Sequence, residues 1–61
     1  MFKEKLKEIR KEKNLTQTQL AEEIGVSPSS VYLWERGAVN PGYGTLVLIS
    51  EKLQVDIKEL L

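Results

Sequence analysis

The sequence predicts an all-α fold of five short helices, and three observations predict it. Apolar residues recur three and four positions apart, as on one face of a helix. Glycines, prolines and Ser, Thr or Asp capping residues cut the chain into segments of helical length. Two of those segments are separated only by Gly25-Val26-Ser27, room for nothing but a tight turn. With 61 residues the expectation is a single domain over residues 1–61, compact and with a small core.

Each element follows in turn. Phe2, Leu6 and Ile9 have helical spacing, and good helix formers fill the intervals through Lys13. The charges of this first helix form like-signed rows four apart, Lys3-Lys7-Lys11 and Glu4-Glu8-Glu12. Pairs such as Glu4 with Lys7 offset the repulsion, so the rows read as a solvated face. Thr16, followed three residues later by Gln19, is a capping box that opens a second helix running to about Ile24, with Leu20, Ala21 and Ile24 on one face. Gly25 ends it, because a left-handed backbone costs glycine little. Ser27 caps a third helix at once, and Pro28 suits its first position, where the missing N–H has no partner to lose. That helix continues to about Arg36 and stops at Gly37. A loop with Asn40-Pro41 leads to Gly42, read as a cap, and to a fourth helix over about Tyr43 to Leu53 with Leu46, Ile49, Ser50 and Leu53 inward. Asp56 and Glu59 repeat the capping-box pattern and open a fifth helix of a turn or two, ending at Leu61.

Composition excludes several classes of function. There is no cysteine, hence no disulfide and no thiolate metal site, which suits a reducing cytoplasm. There is no histidine, which removes the commonest general base and the commonest zinc ligand. No catalytic motif is present, and neither an enzyme activity nor a metal or cofactor is expected. Met1 to Lys13 lacks the apolar stretch of a signal peptide, and the longest apolar run, Leu46-Val47-Leu48-Ile49, is far too short to span a membrane. A cytoplasmic chain that avoids membranes is the expectation. Nine basic and nine acidic residues cancel, where a nucleic-acid binder usually carries a basic excess.

The paired helices around Gly25-Val26-Ser27 carry the functional signal. Joined so tightly they must cross steeply, with a buried Val26 pinning the corner, and the second of them stands proud enough to enter a major groove. In that helix Val31 and Trp34 point inward, while residues 28, 29, 32, 33 and 36 form the outer stripe.

The run Leu15-Thr16-Gln17-Thr18-Gln19-Leu20-Ala21-Glu22-Glu23-Ile24-Gly25-Val26-Ser27, with Ser30-Val31, Trp34-Glu35-Arg36-Gly37, Asn40-Pro41 and Leu53-Gln54-Val55-Asp56-Ile57, resembles the Cro and phage-repressor family of helix-turn-helix regulators. The resemblance extends from Leu6 to Leu61. It implies a five-helix, lambda-repressor-like DNA-binding domain whose third helix reads duplex DNA, as a repressor-like transcriptional regulator and as a homodimer on two half-sites about 34 Å apart. It further implies that Gln17, Ser27, Ser30 and Asn40 meet the sugar–phosphate backbone, that Pro28, Ser29, Tyr32 and Leu33 face base edges, and that Arg10 and Glu35 form an internal ion pair. Arg36 joins the backbone candidates from the outer stripe.

Charge distribution fits that expectation better than net charge does. From Ile24 through Ser50 the only acid is Glu35, which the resemblance assigns to Arg10. The sequence also departs from the family. Leu33 stands where a polar or basic reader is common and can only touch a thymine methyl group. Pro28 has no donor, and Ala38 and Val39 replace basic loop residues. Leu33, Val39, Val47 and Leu48 therefore support an alternative, a protein-interaction or dimerisation module on the same fold with weak or lost DNA binding. Val55, Ile57 and Leu61 are candidate dimer contacts.

Overall fold

The computed structural model describes residues 1–61 and contains helices only, α1 (Phe2–Glu12), α2 (Gln17–Ile24), α3 (Pro28–Arg36), α4 (Tyr43–Leu53) and a closing 3-10 helix (Ile57–Leu60). The fifth element is thus a single 3-10 turn, not an α-helix. Asp56 starts it, its carboxylate accepting from Lys58 N at 2.9 Å, and the Glu59 side chain returns to Asp56 N at 3.1 Å. Leu60 must then turn at once into the core, where it is fully buried. The i→i+3 bonds from Glu59 N to Asp56 O, 2.9 Å, and from Leu61 N to Lys58 O, 3.3 Å, achieve this in fewer residues than an α-turn needs.

Local chemistry sets the other boundaries. Thr16 Oγ1 accepts from Gln19 N at 3.1 Å, and Thr16 N donates to Gln19 Oε1 at 2.9 Å, completing the capping box of α2. Ser27 caps α3 with Pro28 in its first turn, and Gly42 caps α4. α1 ends one residue before the expected Lys13, which is its C-cap. Asn14 then turns left-handed, φ 58°, which gives the chain its sharp entry into α2.

Ten side chains make the core: Leu6 and Ile9 of α1, Leu20, Ala21 and Ile24 of α2, Val31 and Trp34 of α3, Ile49 and Leu53 of α4, and Leu60. α2 packs on α3 and α4, α1 packs on α3, and the 3-10 helix closes over α1 and α4. Phe2 meets Trp34 edge to face, with ring centroids 6.3 Å apart and planes at 78°, a geometry aromatic quadrupoles favour. Leu46 and Val26 are only half-buried against this cluster, so the corner residue expected to be buried retains an open flank. The Lys and Glu rows of α1 form no ion pairs with one another; the one surface contact there joins the N-terminal ammonium to Glu4 at 3.8 Å. No helix is long and apolar enough to cross a membrane.

The helix pair α2–α3 turns on Gly25, φ +90°, where no atom stands within 4 Å of the place a β-carbon would take. Gly25→Ala is therefore a test of backbone strain alone, with an expected cost of about 1–2 kcal/mol. Melting followed by circular dichroism should show it as a fall in Tm of about 4–8 °C for each kcal/mol. Gly37→Ala, φ +77°, should cost at least as much, since its β-carbon would lie 2.9 Å from Lys3 Cδ.

Candidate nucleic-acid interface

α3 is anchored in four ways. Its core face is Val31 and Trp34, both buried. Its first turn is tied by Ser27, whose Oγ accepts from Ser30 N at 3.4 Å and lies 3.2 Å from Ser30 Oγ. Its last turn closes at Gly37, with bonds from Gly37 N to Trp34 O and from Ala38 N to Leu33 O, both 3.1 Å.

The fourth anchor is electrostatic. Glu35 projects from α3 toward α1, and its side chain is 4% exposed against 13% for Arg10. Arg10 grips the carboxylate with both arms of its fork, Nε to Oε2 at 2.7 Å and Nη2 to Oε1 at 3.1 Å. Arg10 Nη1 also donates to Leu15 O at 2.9 Å, and Gln17 Nε2 donates to Glu35 Oε1 at 3.1 Å. One carboxylate thus joins α1, the connection into α2, the start of α2 and α3. No buried side-chain nitrogen or oxygen lacks a partner.

On the opposite side of α3, Pro28, Ser29, Tyr32, Leu33 and Arg36 are all exposed. At 100° per residue they fall within an arc of about 140°. Arg36 folds back along this arc. Its Nη1 donates to Tyr32 Oη at 2.9 Å, and its guanidinium carbon sits 5.5 Å from the Tyr32 ring centroid. Asn40 is exposed on the loop after α3, beside Val39 and Tyr43, which are 47% and 75% exposed. Ser27 is exposed at the corner and Ser30 half-exposed beside it. Val47 and Leu48 are half-buried, and Leu48 packs against the core. The candidates split by position. Pro28, Ser29, Tyr32, Leu33 and Arg36 share the outer arc, Ser27 and Ser30 flank its start, and Arg10 and Glu35 lie beneath. Gln17 sits between, its amide already shared with Glu35.

Two side-chain partnerships went unread in the sequence. The Tyr32 and Arg36 pair had a signal, since the two are four apart on one helix. The Gln17 to Glu35 bond had none, because it joins two helices and depends on their crossing.

Residues 6–60 match the family model described as helix-turn-helix. The chain is 47% identical over 60 residues to an HTH-type transcriptional activator of Enterococcus faecalis, covering 98% of this chain and 29% of that protein. It is 43% identical over 59 residues to the transcriptional repressor of the cryptic phage CTXphi in Vibrio cholerae, covering 97% of this chain and 53% of that one. This chain therefore spans about half or less of the length of these curated relatives. Among solved structures, the restriction-modification controller protein of Aeromonas hydrophila superposes with a TM-score of 0.90 at 32% identity, covering 98% of this chain and 91% of that one.

Beneath this surface the ion pair can be tested by itself. Arg10→Met strands the buried Glu35 carboxylate and should cost about 3–5 kcal/mol, comparable to the whole stability of so small a domain. Arg10→Met combined with Glu35→Leu removes both charges, and its urea unfolding curve should recover most of that loss.

Proposed function

Because this chain belongs to the helix-turn-helix family of Cro and phage-repressor type, we propose that it binds duplex DNA sequence-specifically as a transcriptional regulator, with α3 in the major groove. The observation that carries the reading is the outer arc of α3, which is exposed, rigidly seated and free of carboxylates, while the one acid of that region, Glu35, is turned inward onto Arg10. An acid-free convex helix is what a groove lined by phosphates admits.

In this reading Pro28, Ser29, Tyr32 and Leu33 face base edges. Gln17, Ser27, Ser30, Arg36 and Asn40 meet the backbone on either side. Gln17 retains an N–H for a phosphate while its other is held by Glu35, so a backbone contact there pulls directly on the network that seats α3. The role is non-catalytic and repressor-like, since a domain that occupies an operator excludes other proteins from it. We place it in the cytoplasm, as a single domain acting as a homodimer on DNA. The apolar side chains of Val39, Tyr43 and Leu61, 47%, 75% and 66% exposed, support self-association. They equally support the second reading, a protein-interaction module on the same fold.

Titration of labelled protein with mixed-sequence duplex DNA at two salt concentrations separates the two. DNA binding predicts salt-sensitive NMR shifts at Gln17, Ser27 to Leu33 and the Asn40 loop. An interaction module predicts no DNA-induced shifts at Gln17, Ser27 to Leu33 or the Asn40 loop. Arg36 is the only cation between Ile24 and Ser50. Arg36→Ala should therefore weaken binding evenly across sequences and reduce the slope of log K against log salt by about 1.

A further inference from the structure

Apart from Arg36, assigned above to the DNA backbone, the outer arc of α3 carries few hydrogen-bonding groups, and this limits what it can recognise. Pro28 has neither a backbone nor a side-chain donor. Tyr32 Oη accepts from Arg36 and keeps a single O–H to donate. Ser27 and Ser30 share their hydroxyls with each other. Ser29 keeps one free hydroxyl, which reads any base without preference. None of the residues facing base edges is an Arg, Asn, Gln, Lys or carboxylate, the side chains that make two-point contacts to a base edge.

The apolar reader on the arc is Leu33. It lies one helical turn beyond Ser29 on the same arc and is 37% exposed, whereas Val31 and Trp34 of the same helix are buried. No carboxylate stands on the arc to keep a DNA duplex away from it. In the major groove the apolar group available to such a side chain is the 5-methyl of a pyrimidine.

Resting on the DNA-binding reading above, we propose that Leu33 is a specificity-determining residue that selects a 5-methylated pyrimidine in each half-site. The ligand chemistry is the methyl group itself, supplied by thymine or by 5-methylcytosine. Uracil presents the groove edge of thymine without it, and cytosine that of 5-methylcytosine without it. Binding is therefore methyl-dependent at one position and relies little on hydrogen bonds there.

The test begins with selection of a preferred duplex from a randomised library by the intact chain. Each thymine of the selected half-site is then replaced in turn by uracil, by cytosine paired with guanine, and by 5-methylcytosine paired with guanine, and affinities are read by fluorescence anisotropy. At one position loss of the methyl should weaken binding about fourfold, the worth of one buried methyl. At that position 5-methylcytosine should bind more tightly than cytosine by a similar factor. Leu33→Ala should bind thymine and uracil duplexes equally, and its circular dichroism melt shows whether it is folded. The wild-type comparison decides the matter even if the variant does not fold. Equal affinity of the wild type for thymine and uracil at every position, or discrimination that persists in folded Leu33→Ala, overturns the proposal. A library that yields no enriched sequence overturns the DNA-binding reading instead, and the proposal falls with it.

Discussion

The arrangement depends on one buried carboxylate. Glu35 follows Trp34 on α3 and faces α1, so packing the indole into the core carries the charge inward with it. An ion so placed must be hydrogen-bonded or it destabilises the fold. Arg10 supplies two bonds to it and Gln17 a third. Attraction and desolvation nearly cancel in such a pair, so its contribution is orientation more than stability. A planar guanidinium gripping a planar carboxylate fixes distance and rotation together, which an apolar contact of the same area does not. With only ten buried side chains, that constraint determines the angle at which α3 stands away from α1 and α2.

The same pair reconciles a net charge of zero with the proposed DNA-facing surface. Fixed inward, Glu35 contributes little field to the outer arc, and the remaining acids lie outside the segment from Ile24 to Ser50. The arc is left with Arg36 alone, itself drawn against Tyr32. Such a face neither repels DNA nor attracts it from a distance. Binding on these terms rests on short-range groups, namely neutral donors, backbone N–H groups and shape, and counterion release contributes less than in a lysine-rich domain.

Where a boundary is set by chemistry within three or four residues, the sequence alone showed it. The capping boxes at Thr16 and Asp56, Pro28 in the first turn of α3 and the left-handed glycines at positions 25 and 37 all belong to this class. What escaped depends on neighbours distant in the chain. The last element tightened into a 3-10 turn because Leu60 has to reach the core within four residues of the Asp56 cap. Asn14 and Gln54 take positive φ without being glycine, because the connections they serve leave no other route. Helical period alone gave the exposed arc of α3. It did not give the partners of Gln17 or Tyr32, which depend on rotamers chosen after the helices have met.

An arc that reads by apolar contact has a consequence for the assembly that uses it. A two-point hydrogen bond to a base is worth about 1–3 kcal/mol of discrimination, whereas one methyl contact is worth about 0.8 kcal/mol. On the proposed reading, a single copy of this domain separates operator from random sequence weakly. Two copies held on one palindromic site multiply their discrimination, so a fourfold preference in each half-site becomes about sixteenfold in the whole. The second half-site also binds at the effective concentration set by the first, which raises affinity without any new contact to DNA. A weakly charged recognition face that reads by apolar contact and a homodimeric mode of action are thus complementary parts of one proposed reading. The less each helix distinguishes alone, the more the function depends on both being present together.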